Sequence, residues 1–143
     1  MKYGFVYLLS NPCMEGIFKV GCSERSPHAR VDELSYSTSV PLPFQVVCYI
    51  EAENCQWLEG QMHRWLGAFR LNDRREFFKL DEWQHPWLLG LFKFNPWALT
   101  YAECDLSGFF SHGFEDQNPW HYDPETPAPA FHRHIQGAAD GTH

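Results

Sequence analysis

The chain has 143 residues, a formal net charge of −7, 44% hydrophobic residues and 17% aromatic residues. This length and apolar content favour one compact domain with an appendage and argue against a second full domain. The five cysteines are odd in number and form no C-x-x-C pair, which argues against a zinc ribbon and a closed disulfide framework. No stretch reaches the roughly 18 apolar residues of a membrane span, so we expect a cytoplasmic protein with free thiols.

The charge is distributed unevenly along the chain. Residues 1–98 carry ten Lys or Arg against eleven Asp or Glu, whereas residues 99–143 carry one against seven. The acidic total therefore does not exclude a nucleic-acid partner for the first part of the chain. Between residues 64 and 79, five basic side chains face only two acidic ones, and we predict that this segment contacts phosphate. A solvated helix end and turn is the alternative interpretation.

The first elements in the chain are predicted to form a β-hairpin. An apolar run over residues 4–9 ends at a turn that contains Asn, Pro and Gly, and a second strand follows over residues 17–22. Because side chains alternate along strands, Tyr7 and Lys19 can lie on one face of this hairpin.

A helix and a third strand are predicted next. Pro27 is typical of a first helical turn, and the helix that it begins carries Arg30. After a proline-rich break, residues 44–50 are rich in β-branched and aromatic residues and predict a strand. Asn54 is a suitable N-cap for the following helix.

That second helix carries an apolar stripe with three polar residues beside it. Glu59, His63 and Arg70 fall within about 40° of each other when plotted at helical spacing. Further along, residues 76–80 predict a short closing strand. Residues 81–92 predict a last helix that Pro86 shortens or kinks.

The order of these elements predicts an α+β fold. Its core is β-β-α-β-α, a small mixed or antiparallel three-stranded sheet flanked by helices. We place this domain at residues 1–98 and a partly irregular C-terminal extension at residues 99–143.

Several groups of residues between 4 and about 80 resemble the GIY-YIG endonuclease superfamily. Val6-Tyr7 stands where the first motif of the family has Ile-Tyr, and Lys19-Val20-Gly21 stands where the second has Tyr-Ile-Gly. The stretch from Arg25 through Arg30 to Phe44 resembles a branch common in phages and described as DNA-binding. So do Leu58-Glu59-x3-His63 and the later Arg75-Glu76-Phe77-Phe78.

The resemblance implies a role for each matching position. Tyr7 would take or relay a proton from the attacking water, and Arg30 would stabilise negative charge on the scissile phosphate. Glu59 would bind a single Mg²⁺ or Mn²⁺ ion. Lys19 replaces the family's second Tyr, so it serves as a base or a charge clamp, or else marks a loss of catalysis. His63 is either catalytic itself or orients Glu59.

The same residues also have purely structural interpretations. Tyr7 can be an ordinary tyrosine of a sheet, and Glu59 can be a solvated helix residue. Arg30 can form a salt bridge with Glu33, three residues later, or with Glu59 across the fold.

The predicted function is a metal-dependent DNA endonuclease that hydrolyses phosphodiester bonds with Mg²⁺ or Mn²⁺. The alternative is a non-catalytic DNA-binding module on the same scaffold. We expect DNA contacts from five arginines, which are Arg25, Arg64, Arg70, Arg74 and Arg75. Cutting both strands with one site per chain favours a transient homodimer or sequential nicking.

The extension at residues 99–143 mixes acidic residues with aromatic ones such as Phe109, Phe110 and Trp120. We hypothesise that it folds over the basic segment as an internal competitor for DNA. Packing as a protein interface is the alternative.

Overall fold

A computed structural model describes residues 2–37, 42–71, 76–106, 117–121 and 128–129. Predicted site residues Arg74 and Arg75, and most of the extension, including Phe109 and Phe110, lie outside these residues. The strands are β1 (Gly4–Ser10), β2 (Ile17–Ser23), β3 (Gln45–Ala52), β4 (Phe77–Lys79), β5 (Thr100–Glu103), β6 (Trp120–His121) and β7 (Ala128–Pro129). The α-helices are α1 (Pro27–Ser37), α2 (Cys55–Trp65) and α3 (His85–Lys93).

The predicted α+β class is confirmed, with a sheet larger than the three strands expected. Five strands form one sheet in the order β4-β2-β1-β3-β5, and every neighbouring pair is antiparallel. Strand β1 is central because it pairs with both β2 and β3. The predicted closing strand forms as β4 on the outer side of β2. Strand β5, which pairs with β3, lies in the segment interpreted as the extension.

Helices α1 and α2 begin where the sequence predicts. The Asn54 side chain accepts a hydrogen bond from the Trp57 N–H at 3.2 Å, which confirms it as the N-cap of α2. The last helix is shorter than residues 81–92, because a 3-10 turn over Glu82–Gln84 precedes it. Pro86 lies in the first turn of α3, where its missing N–H costs no helical hydrogen bond, so it neither kinks nor breaks the helix.

The two faces of the sheet are covered differently. On one face, α2 and α3 pack on side chains of the inner strands to form the larger core, which includes Val6, Leu58 and Trp87. On the other face, a smaller cluster joins α1 to the sheet through Tyr7, Leu9, Val31, Phe44 and Val46. None of the helices in the described part of the chain has the length and apolar character of a membrane span.

Part of the predicted extension packs on the domain through tryptophan. Trp120 contacts the rings of Trp65 and Trp97, with centroids 5.0 and 5.7 Å away. The backbone just before it passes so close to α3 that a Cβ at Gly90 would lie 1.7 Å from the Gln117 carbonyl oxygen. Residues 117–121 are therefore held against α2 and α3 rather than standing apart from the domain.

Candidate active site

The predicted site residues gather around the outer edge of β2, where its pairing with β4 ends. Strand β4 pairs with β2 from Ile17 to Lys19. At the next residue, Val20, the N–H donates to the Glu76 carbonyl oxygen at 3.3 Å. The Val20 carbonyl accepts a hydrogen bond from the His63 ring at 2.8 Å. The His63 side chain of α2 therefore reaches the backbone of β2 at the point where β4 stops pairing.

Tyr7 is fixed in the centre of the sheet by its neighbour across the strands. It lies opposite Gly21 in the register of β1 and β2, and only 2% of its surface is exposed. A Cβ built at Gly21 would lie 2.5 Å from the Tyr7 hydroxyl oxygen and 2.7 Å from the ring. The glycine of Lys19-Val20-Gly21 is thus required because the tyrosine lies flat over its Cα.

Helix α1 brings Arg30 to the Tyr7 hydroxyl, so these two predicted residues do meet. The guanidinium is hydrogen-bonded to the phenol oxygen, and it also donates to Glu33 at 3.2 Å. Partial burial lowers the pKa of Arg30, but these two hydrogen bonds outweigh it and raise the pKa overall. The salt bridge with Glu33 that the sequence allowed is therefore present, and the Tyr7 contact exists beside it.

The Tyr7 hydroxyl is held in its neutral form. Burial is the largest cause that raises its pKa to about 12, and the charges of Glu76 and Glu59 act in the same direction. Arg30 opposes them, because a cation next to the oxygen favours the phenolate. Both carboxylates therefore lie near enough to this hydroxyl to influence it electrostatically.

Lys19 is paired with a carboxylate that the sequence analysis did not include among the site residues. Its Nζ lies 2.5 Å from Glu76 Oε2 and 5.4 Å from the centroid of the Phe77 ring. The lysine side chain is 12% exposed and that of Glu76 is 46% exposed. The ammonium is therefore enclosed between the strand and an ionic partner that faces solvent.

Glu59 and His63 lie one turn apart on α2, as predicted. Their nearest side-chain atoms, His63 Nε2 and Glu59 Oε1, are 3.9 Å apart, which exceeds a hydrogen bond. Because a carbonyl oxygen only accepts, His63 Nε2 acts as the donor in this hydrogen bond to Val20. The imidazole thus makes the hydrogen bond to the Val20 carbonyl that a further residue of β4 would otherwise make.

Cys22 is a further side chain at Glu59 that the sequence analysis missed. Its side chain packs against the core under α2, close enough to Glu59 and Cys55 for both groups to influence its thiol. Burial raises the pKa of Cys22 well above its ordinary value, and the hydrogen bond to Glu59 adds to the effect, so the group is a neutral thiol. No sequence motif announces this contact, because it depends on how α2 crosses β2.

Among the side chains described at this edge, Glu59 is the one that could hold a hard divalent cation. In the described ranges, no group of three or more His, Cys, Asp or Glu side chains is arranged as a metal cage. Mg²⁺ usually keeps several waters and binds proteins through one or two carboxylates. The Glu59 side chain, 19% exposed, offers one such carboxylate at the edge of the apolar core.

The arginines expected to contact DNA have different surroundings. Arg25 is exposed and forms an ion pair with Glu33 at 2.6 Å, beside Arg30. Arg64 is exposed on α2. The guanidinium of Arg70 lies 5.7 Å from the centre of the Phe78 ring, and its buried Nε has no hydrogen-bond partner within the described residues.

Comparison with known proteins gives a family for the chain. No curated protein and no solved structure matches it. Residues 4–87 match the model of the T5orf172 domain, a phage-associated domain found in a nuclease context. This match spans more than half of the chain and contains every side chain described at the β2 edge. The chain therefore belongs to the T5orf172 domain family.

Proposed function

We propose that this protein is a metal-dependent DNA endonuclease of the GIY-YIG type, which hydrolyses phosphodiester bonds. One observation carries the proposal: Tyr7 and Arg30 are hydrogen-bonded to each other, and two carboxylates act on the same hydroxyl. A proton carrier, a cation suited to phosphate and a carboxylate suited to a metal ion are the groups that this hydrolysis needs.

Tyr7 is assigned the proton transfer. With a pKa of about 12 the side chain is a neutral phenol at neutral pH. Its oxygen accepts from Arg30, so its proton is directed at another oxygen, such as that of a water or a phosphate. Relay of a proton through this hydroxyl fits these properties better than a permanently ionised tyrosine.

Arg30 is assigned the role of binding the scissile phosphate. Its side chain is 39% exposed, so a phosphodiester can reach the guanidinium from solvent. The pair with Glu33 is a surface ion pair, which is weak enough for a phosphate to replace. The planar guanidinium can then contact two phosphate oxygens while it remains next to Tyr7.

Glu59 is assigned the role of binding the metal ion. When bound, Mg²⁺ or Mn²⁺ would supply a Lewis acid for the scissile phosphate. The Glu59 carboxylate would hold the ion beside the edge of β2.

Lys19 is assigned a charge-clamping role rather than that of a base. The Lys19 ammonium forms a short ion pair with Glu76. To act as a base, Lys19 would have to lose a proton from this ammonium and give up the ion pair. Lys19→Arg would then retain much of the activity, whereas Lys19→Met would lose it.

A second candidate function is a DNA-binding module without catalysis. The Lys19–Glu76 ion pair favours it, because this closed pair stands at the position where the resembling nucleases have their second Tyr. Such a module would keep the contacts of the exposed arginines with phosphate and would leave the backbone of the DNA intact.

Cleavage of supercoiled plasmid with Mg²⁺ and with Mn²⁺ tests the proposal. Glu59→Gln preserves the size of the side chain and removes its charge, and Glu53→Gln alters an exposed carboxylate near the start of the same helix. We expect metal-dependent nicking by the wild type and by Glu53→Gln, and a loss of at least about 100-fold in Glu59→Gln. Open-circular product that precedes linear product would indicate sequential nicking.

Intact plasmid at every metal and salt concentration would reject the endonuclease. If the protein then retards DNA on a gel with an affinity that falls steeply with salt, the DNA-binding module is correct. A protein that neither cuts nor retards DNA contradicts both functions.

A further inference from the structure

Three residues of α2 form a row along the outer part of β2. Cys55, Glu59 and His63 are spaced by four residues, so their side chains lie one above the other on the same side of the helix. The helix packs on β2 and runs in the opposite direction to it. Cys55 therefore lies near the end of the strand, and His63 lies near its middle.

The His63 end of this row is fixed by a hydrogen bond to the backbone. The ring nitrogen Nε2 donates to the Val20 carbonyl at 2.8 Å, and the ring also packs on Phe78 with centroids 5.5 Å apart. Only 15% of the His63 side chain is exposed.

The Cys55 end is fixed by close packing and by a backbone hydrogen bond. The residue is 1% exposed, and its N–H donates to the Lys2 carbonyl at 3.1 Å. A Cβ at Gly4 would lie 2.7 Å from Cys55 Sγ and 2.6 Å from the Ser23 carbonyl oxygen. Helix and strand thus approach as closely here as a glycine permits.

Between these two fixed ends, Glu59 faces Cys22. This cysteine follows Gly21 on β2, and its side chain points to the face covered by α2 because its neighbour Gly21 faces Tyr7. Because Cys55 lies beside Ser23 and His63 lies at Val20, Glu59 between them lies level with Cys22, which packs against the same core.

We propose that Cys22 is a positioning residue that orients the Glu59 carboxylate for the metal ion; this inference rests on the proposed endonuclease function. A thiol is a weak donor, so it restricts the rotation of the carboxylate and leaves lone pairs for a cation. When a residue that hydrogen-bonds to a metal ligand is mutated, metal affinity commonly falls about 10- to 100-fold. Because the donor is weak, we place Cys22 at the lower end of that range.

The test measures metal binding directly, by the loss of the free Mn²⁺ electron paramagnetic resonance signal on titration with protein in the absence of DNA. Cys22→Ser keeps a donor at this position, whereas Cys22→Val fills similar space without one. Cys104→Ala removes an exposed thiol elsewhere and serves as the control, and Glu59→Gln defines binding that depends on the carboxylate.

We expect Mn²⁺ binding about 10-fold weaker in Cys22→Val, binding within about 3-fold of wild type in Cys22→Ser, and no change in Cys104→Ala. In cleavage assays, the Mn²⁺ concentration for half-maximal rate should shift by the same factor, with little change in the rate at saturating Mn²⁺. A purely structural role would instead change stability and would not follow the presence of the donor.

Equal Mn²⁺ affinity in wild type and Cys22→Val, with binding still lost in Glu59→Gln, overturns the role of Cys22 and leaves the endonuclease standing. Equal loss in Cys22→Ser and Cys22→Val also overturns it, because the donor would then be irrelevant. Wild-type Mn²⁺ binding that Glu59→Gln does not reduce overturns both this inference and the metal role on which it rests.

Discussion

The two faces of the central sheet differ in how much apolar surface they bury and in how many polar side chains lie around them. The face under α2 and α3 is filled with fully buried side chains such as Leu58, Trp87 and Leu88. The face under α1 has a smaller apolar cluster, and polar side chains such as Lys19 and Arg30 lie around it. Most of the apolar burial lies under α2 and α3, whereas the α1 face holds the Tyr7, Arg30 and Lys19 part of the candidate site, to which α2 adds Glu59 at the shared edge of β2. Substitutions on the two faces should therefore produce different kinds of loss.

The largest effect on stability is expected from the α2/α3 face. Trp87→Ala should lower the free energy of unfolding by about 3–5 kcal/mol, because it removes a large and completely enclosed ring. Val31→Ala on the α1 face should cost only about 1–2 kcal/mol. Urea denaturation followed by circular dichroism compares the two, and equal losses would contradict the division between the faces.

The next effect is expected at the contact between Gly21 and Tyr7. Gly21→Ala forces the tyrosine to move, and displacement of a reacting group by about 1 Å can reduce a rate about 100-fold. Gly60→Ala is the matched control, since a Cβ there meets nothing within 4 Å and lies in the middle of α2. Cleavage rates and melting temperatures of both variants check this. Full activity in Gly21→Ala would show that the position of Tyr7 is not critical.

A smaller effect is expected from His63 at the edge of the sheet. His63→Ala leaves the Val20 carbonyl without its donor in a partly buried place, which should cost about 1–3 kcal/mol of stability. The exposed His28 provides the control, and His28→Ala should change stability by less than about 0.5 kcal/mol. If His63→Ala abolishes cleavage at unchanged stability, the residue acts in catalysis rather than in closing the sheet.

The smallest effect is a dependence of stability on pH that comes from Tyr7. Its pKa is raised to about 12 in the folded chain, above its ordinary value of 10.0, so the folded state keeps the proton longer than the unfolded state. The contribution to stability is complete below pH 10 and is lost as the pH rises to about 12. Chemical denaturation at pH 9, 10 and 11 should show a steeper decline for the wild type than for Tyr7→Phe. Parallel declines would mean that the hydroxyl is not held neutral by burial.

Local patterns in the sequence determined much of the fold. Apolar runs, turn residues and β-branched content predicted β1, β2 and β3, and Asn54 and Pro27 marked the first turns of two helices. Strand β5 was missed because its four residues are half exposed and form a strand only by pairing with the edge of β3. The extent of α3 was overestimated because the 3-10 turn over Glu82–Gln84 runs directly into the helix.

The sequence predicted which residues form the candidate site better than it predicted the contacts of those residues. The register of a hairpin and the spacing of a helix place Tyr7 near Lys19, and Glu59 near His63, from the sequence alone. The partners of these side chains come from distant parts of the chain. Glu76 is 57 residues from Lys19, and Val20 is 43 residues from His63.

The sequence by itself thus determined the α+β class, the positions of most elements and the family to which residues 4–87 belong, because period, caps and motifs are local properties. Only the tertiary structure decided that Lys19 pairs with Glu76, that His63 closes the edge of β2, and that Cys22 faces Glu59. Such contacts depend on where the edge of one strand ends and how a helix crosses it. Packing of the whole chain sets that geometry, and no short stretch of residues encodes it.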